Sequence, residues 1–503
     1  MRSKKAFYNI VTNLLFELIV IINGFIVPRI IIQKFGSDVN GLVTSISQFL
    51  SYIVLLESGF GPVVKSVLYK PIAKKNKEEI VNILACSERF FRKICKIFIL
   101  YIILLALFYP LIVNNEFSYI YTFSLIIIIS LSTIFEYFFG ITYSLYLEAE
   151  QKSYVSFIIK MIAYIINIIV LLVFSRYINN VHLLKLIFGI LFILKPIIQN
   201  IYVKKKYNLD FSNIDKKYNL KQKWDGLIHH IAYVIHSNTD IVLLTFFSNL
   251  HEVSVYSVYL LILKGIKSFI QSLCNGVSSI FGNMFANNEK ENILIKFDMY
   301  EFLYYTIVTI VYACTYVLTI PFISVYTIGI VDINYIRPLF AFLIITGEFI
   351  WAIRLPHSTL VSTVGQFKQT KNFALVEAIV NITISVILVF KMGIIGVAIG
   401  TLIAILIRTL YLVYYTNKKV LDRSISLTTK KIFIMILNII IIYATSILIN
   451  LSFINSYFTW IIGAVIIFLV SCLVVLISAF IFDRKNIIKI LKLIKKIILN
   501  KGK

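Results

Sequence analysis

Little in this chain could keep it in water. Only 15% of its 503 residues are charged, 59% are hydrophobic, and the mean hydropathy is +0.89. A soluble core cannot hide that much apolar side chain, so lipid must serve as solvent for much of the surface. Cysteine is scarce. The five (Cys86, Cys95, Cys274, Cys314 and Cys472) are odd in number and widely spaced, mostly in apolar runs, which gives neither a disulfide framework nor a metal-ligand spacing. They read as packing residues, and no metal or cofactor is expected. Acidic residues are also few, 24 against 49 Lys and Arg, for a formal net charge of +25. Such a balance can signal nucleic acid or another acidic partner, so the placement of the cations has to decide. A cleavable leader is not expected either. MRSKKAFYNI is basic, but the apolar run after it is interrupted by Asn13 and Glu17 and has no small-residue cleavage site, so it reads as a retained first helix.

What the chain has in abundance is long apolar runs. Fourteen of them, at about 7–30, 39–64, 94–113, 119–146, 154–175, 182–202, 226–247, 252–283, 300–322, 334–361, 372–390, 394–416, 432–452 and 458–482, predict an all-α polytopic membrane protein. With the N-terminus inside, the segments 1–6, 65–96, 147–153, 203–225, 284–299, 362–371, 417–431 and 483–503 hold 37 of the 49 Lys and Arg. The outer loops hold only Arg29, Lys34, Arg176 and Lys391. The positive-inside rule then puts both termini in the cytoplasm, and the charge is topology rather than a nucleic-acid footprint. No outer loop is long enough to hold an enzyme site.

The expected plan is an N-lobe of six helices (1–202), a basic cytoplasmic linker (203–225), a C-lobe of six helices (226–416), two further helices (417–482) and a basic tail (483–503). A weak internal repeat supports it: FGSDVNGLVTSISQF corresponds to FSNLHEVSVYSVYLL, and EQKSYVSFIIKMIAYIINIIVLLVF to QFKQTKNFALVEAIVNITISVILVF. Two lobes of one topology, related by an axis along the membrane normal, are a transporter arrangement with the substrate path between them. The last two helices look lipid-facing. The tail sets Lys489, Lys492, Lys495 and Lys496 against Ile and Leu at helical spacing, as an amphipathic helix on the inner leaflet would.

An ionisable residue in the middle of a membrane helix costs about 2.5–3.5 kcal/mol on insertion scales, so each one inside a span is a candidate for function. Several polar residues share faces: Asn9, Asn13 and Glu17; Thr44, Gln48 and Ser51; Ser153, Ser156, Lys160, Tyr164 and Asn167; His229, Tyr233, His236 and Asp240; Lys264, Ser268, Gln271 and Asn275; Glu377, Asn381 and Ser385. Together with Glu348 they are expected to line a wet central cavity. The cations Lys160, Lys195, Lys264, Lys267, Arg354 and Arg408 suit an anion such as a pyrophosphate. Plainer roles stand beside these. Lys65 and Arg408 lie near helix ends and can snorkel. Lys160, Lys264, Lys267 and Arg354 either contact substrate or pair with Glu377, Glu348 or Asp240. His236 either bonds a neighbour or carries a proton. Gly59, Gly61, Gly393, Gly396 and Gly400 read as close-packing or hinge positions.

One segment carries more information than the rest. Val364 to Ala404, VGQFKQTKNFALVEAIVNITISVILVFKMGIIGVAIGTLIA, joins a polar loop, a helix with Glu377, Asn381 and Ser385 down one face, and a Gly393, Gly396, Gly400 series. It resembles the second half of the Wzx-type oligosaccharide flippases of the multidrug/oligosaccharidyl-lipid/polysaccharide exporter superfamily. FGSDVNGLVTSISQFLSYIVLLESGFG and SNTDIVLLTFF, where Asp240 matches a common acidic position, extend the resemblance over nearly the whole chain. It implies a monomeric protein of the bacterial cytoplasmic membrane that is not an enzyme. Its expected role is to move undecaprenyl-pyrophosphate-linked oligosaccharide repeat units to the outer leaflet, for a capsule- or O-antigen-like polymer. Alternating access, a coupling ion (H+ or Na+) and polysaccharide polymerase machinery as a partner come with it. The rival readings are a lipid II flippase, a drug/cation antiporter of the same superfamily, and, from a different class, a membrane polysaccharide polymerase or ligase.

Overall fold

The computed structural model describes residues 2–57, 59–209, 211, 214–215, 218, 227–287, 289–484 and 486–488. A few side chains within that range, those of His229, Tyr233, His236 and Asn275 among them, lie outside the described residues, as do most of the 203–225 linker and of the tail. Every regular element among the described residues is a helix, and thirteen are long and apolar enough to cross a membrane. The protein is a multi-pass membrane protein. An additional helix, Leu227–Phe247, stands where the seventh span is expected; its described apolar part is Asn238–Phe247.

The first compact unit, Met1–Ser257, holds α1 (Arg2–Phe35), α2 (Ser37–Ser51), α3 (Val54–Glu57), α4 (Phe60–Lys74), α5 (Lys77–Ile112), α6 (Tyr119–Phe135), α7 (Ile141–Ala149), α8 (Ser153–Phe174), α9 (Val181–Tyr207), α10 (Leu227–Phe247) and the first turns of α11 (Leu250–Ala286). The second, Val258–Lys503, holds the remainder of α11, then α12 (Lys290–Tyr326), α13 (Pro338–Thr363), α14 (Phe367–Met392), α15 (Ile394–Tyr415), α16 (Ser426–Ile449) and α17 (Tyr457–Phe482).

Several helices outrun the apolar stretches that announce them. The 36 residues of α5 begin at Lys77, well before its apolar run, and extend roughly 54 Å at 1.5 Å per residue. The segment 65–96, expected only as an inner connection, is therefore helical for most of its length. Lys75 turns the chain in the left-handed region (φ 55°), and Asn76 accepts the Glu79 N–H at 3.2 Å to cap α5. The second expected span, 39–64, is not one rod. After Ser51 the backbone bonds tighten to i+3 (Tyr52 to Phe49, Leu55 to Tyr52), and Gly59 at φ +77° ends the run before α4.

In the first unit α1 packs on α2 and α8, and α6 on α5 and α9. Hydrogen bonds join α2 to α10 and the start of α11. Asn40 donates to Ser254 at 2.8 Å and to Ser257 at 3.2 Å, Ser45 and Thr245 pair at 2.7 Å, and Gln48 donates to Asn238. Here Gly41 lies so close to Leu250 that a Cβ would stand 1.8 Å from its carbonyl oxygen. In the second unit α14 and α15 form a hairpin around Gly393 at φ +51°, and α13 packs on α15. Helices α16 and α17 pack on α12 through a four-residue ridge on α17: Gly463, Ile467, Ser471 and Val475 are buried. Phe458, Leu469 and Ile481 on the same helix are 73%, 60% and 68% exposed, as lipid contact requires.

Candidate functional site

The line Glu377, Asn381, Ser385 is buried throughout, at 1%, 0% and 0% exposure. It turns toward the neighbouring helices. Asn381 donates to Thr401 at 2.7 Å, and Ser385 donates to the Val397 carbonyl at 3.3 Å. A Cβ at Gly400 would lie 2.2 Å from the Ser385 hydroxyl, and one at Gly396 would lie 2.5 Å from the Leu388 carbonyl. Those glycines let α15 approach closely enough for the polar seam to close.

Glu377 takes a cation on each oxygen. Arg354 of α13 donates to Oε1 at 2.6 Å, and Arg408 of α15 donates to Oε2. Two guanidiniums on one carboxylate leave a net positive charge. The arms differ, since the Arg354 side chain is 7% exposed and that of Arg408 20%. Three- and six-residue steps from Glu348 along α13 reach Trp351 and Arg354, one side of the helix. Lys267 of α11 meets that side, 3.0 Å from Glu348 Oε1 and 4.4 Å over the Trp351 ring. The other Glu348 oxygen is buried without a hydrogen-bond partner. Lys264, one turn earlier, is exposed and has no ion-pair partner among the described residues. The second unit thus gathers three cations, Lys267, Arg354 and Arg408, around two carboxylates, with a fourth, Lys264, one turn from Lys267.

The other candidates are dispersed. In the first unit Lys195 pairs with Glu136 at 2.7 Å, where a π-helical turn (Glu136–Gly140) follows α6. Lys160 stands 5.9 Å over Phe16. Asn9 accepts the Tyr154 N–H at 2.9 Å and donates to the Gln151 carbonyl at 3.1 Å, tying α1 to the start of α8. Asn13 is half-buried and Glu17 exposed. Asp240 accepts from the Tyr256 hydroxyl at 2.6 Å. Gln271 is half-buried, and the side chains of His236 and Asn275 lie outside the described residues. Lys65, expected to snorkel, pairs with Glu148 at 2.9 Å.

One buried charge network has no counterpart among the sequence candidates. Glu301 and His357 are 0% exposed and 3.4 Å apart. Glu301 also accepts from Arg423 and Lys431 at 2.9 Å each and from Thr428 at 2.8 Å. Asp298 accepts from Lys431 at 2.6 Å. Arg423 and Lys431 had counted only as positive charge in an inner segment, and Thr428 had no reading. The signal lay in their spacing at the start of α16, opposite the carboxylates of DMYE.

No protein-family profile matches the chain, and no curated protein does. Solved structures do. "Lipid II flippase MurJ, inward closed conformation" superposes with a TM-score of 0.67 over 95% of this chain and 99% of its own, at 18% identity. An inward-facing multidrug resistance MATE family transporter of the MOP superfamily gives 0.61 over 82% and 96%, at 12% identity. A MOP superfamily transporter from Pyrococcus furiosus gives 0.52 over 85% and 95%, also at 12%. The chain has the MurJ/MATE-like fold. At these identities the likeness speaks for architecture, and the chemistry has to come from the residues above.

Proposed function

We propose that this chain flips undecaprenyl-pyrophosphate-linked oligosaccharide repeat units from the inner to the outer leaflet of a bacterial cytoplasmic membrane, for a capsule- or O-antigen-like polymer. The observation that carries this reading is the sign of the charge in the second unit: Lys264, Lys267, Arg354 and Arg408 against Glu348 and Glu377. A pyrophosphate accepts charge-assisted hydrogen bonds from such groups, whereas a lipophilic cation is repelled by them. The pairing leaves room for exchange. Arg408, the more exposed arm, can turn to a phosphate while Arg354 stays on Glu377, so the buried carboxylate never stands alone. Lys264 is available without breaking any pair. Alternating access, driven by a proton or sodium gradient, completes the cycle with no covalent step, and both termini stay in the cytoplasm beside the polymerase machinery.

The test is flipping of a labelled polyprenyl-pyrophosphate oligosaccharide in proteoliposomes. We expect transport by the wild type, reduced transport by Lys264→Ala and Arg408→Ala at normal protein abundance, and no efflux of cationic dyes. Gradient-driven dye efflux, or equal binding of the lipid lacking phosphate, would overturn the proposal in favour of an antiporter. A lipid II flippase is the second reading, favoured by the MurJ superposition over 95% of the chain. Parallel assays with lipid II and with other glycans separate the two.

A further inference from the structure

The first unit contains a cavity of about 240 Å³ among α1, α6, α8 and α9. Its polar lining is Asn23, Ser132, Tyr164, Asn167 and Lys185. Lys185, in the second turn of α9, has no acidic partner within ion-pair distance among the described residues; its ammonium rests 5.9 Å over the Phe188 ring. A sheltered ammonium without a counterion is unfavourable, and an anion beside it is one way, besides loss of its proton, to relieve that cost. Asn167 gives a second, independent sign. It is 2% exposed, its amide nitrogen donates to Asn23 Oδ1 at 3.2 Å, and its own Oδ1 has no partner. Oxygen and nitrogen of an amide exchange places by a half-turn, so the same pair can bond the other way round. Asn23 then donates to Asn167 Oδ1, and the Asn167 NH2 turns into the cavity beside the Ser132 and Tyr164 hydroxyls. In that arrangement Lys185 and the Asn167 amide present N–H donors to the space with the Tyr164 hydroxyl beside them, while the Ser132 hydroxyl donates to the Ile129 carbonyl at 3.5 Å.

We infer that this cavity is a binding site for a small monovalent anion of halide size, held by Lys185, the Asn167 amide and the Tyr164 hydroxyl, and distinct from the charge cluster of the second unit. The volume admits the ion with several waters, each with a share of about 30 Å³. The anion stabilises the first unit by neutralising Lys185.

The experiment is thermal unfolding of the purified full-length protein in detergent, titrating sodium chloride against sodium gluconate at constant ionic strength. For the wild type we expect a saturable rise in melting temperature of about 2–4 °C with chloride. Lys185→Met should remove the chloride dependence, and Lys205→Met, an exposed cation on the same helix, should keep it. Asn167→Asp sets a carboxylate beside Lys185 as a built-in counterion, with Asn23 turning to donate to it. That variant should melt independently of chloride, and it decides the matter if Lys185→Met does not fold. Equal melting of the wild type in the two salts overturns the site, as does an undiminished chloride response in either Lys185→Met or Asn167→Asp.

Discussion

Replacing Glu377 by Gln keeps the shape of the side chain and removes its charge. Arg354 and Arg408, 7% and 20% exposed, would then face each other with no carboxylate between them. At an effective dielectric of about 20, two unit charges about 4 Å apart interact by about 4 kcal/mol. Breaking a buried pair by removing one partner costs about 3–5 kcal/mol, because the remaining charge is left uncompensated. The figures agree, and both partners are shielded enough that screening by water does little to reduce them. We therefore expect Glu377→Gln to destabilise the second unit by about 3–5 kcal/mol. The fluorescence of Trp351, beside this cluster, can follow unfolding in a denaturing-detergent titration. The double variant Glu377→Gln/Arg408→Gln, which restores the net charge, should recover more than half of the loss. A single variant within about 0.5 kcal/mol of wild type, as at an ordinary surface site, would refute the reasoning, and so would a double variant no more stable than the single.

Orientation is open to cysteine labelling in a background without native cysteines. Lys77→Cys should be protected from an impermeant reagent in intact cells and Val331→Cys labelled; the reverse pattern would invert the topology. Gly41→Ala should sharply reduce the folded yield, because its methyl would lie 1.8 Å from the Leu250 carbonyl oxygen. Gly265→Ala on α11 meets nothing within 4 Å and should be neutral or stabilise by up to about 1 kcal/mol, as measured by melting temperature. Glu301→Gln should lower stability far more than Lys264→Ala, with flipping activity per folded molecule affected in the opposite order.

Hydropathy made most of this fold legible. Thirteen of the fourteen expected spans correspond to helices long and apolar enough to cross a membrane, and the other falls on α10. Hydropathy could not report where a helix continues past the apolar run. Lys77 to Arg92 carries Ile80, Val81, Ile83, Leu84, Phe90 and Phe91 among too many charges to read as a span, yet Asn76 caps the helix and Glu78 and Glu79 occupy its first turn, so it forms. The site was partly legible. The four-residue spacing of Glu377, Asn381 and Ser385 pointed to a face that avoids lipid. Which neighbour that face meets depends on how closely α15 can approach, and the glycines at 396 and 400 decide it through contacts no single helix contains. Gly41 escaped notice for the same reason: its constraint is the Leu250 carbonyl, 209 positions along the chain. Glu301 lies at the margin of an apolar span, where charge is ordinary, and only the fold brings His357, Arg423 and Lys431 to it.

These buried charges differ in how fully they are satisfied, and that difference divides structure from function more sharply than depth does. Glu301 accepts from two cations and a hydroxyl and lies within reach of His357 at 0% exposure, so its lone pairs are spoken for and any rearrangement loses bonds. The network joins α12, α13 and the start of α16, which are the contacts needed to hold α16 and α17 on the second unit. At Glu348 and Glu377 the accounting is different. Glu348 keeps an oxygen without a partner, Glu377 shares two guanidiniums of unequal exposure, and Lys264 pairs with neither. A cluster with one bond too few at one carboxylate and one cation too many at the other can exchange partners at little cost. Under the proposed function, a phosphate would add the charge that Arg408 and Lys264 lack, without stripping Glu377 of Arg354. A carboxylate with all its acceptors engaged holds helices together, and a cluster with more cations than carboxylates is where an anionic ligand would have something to complete.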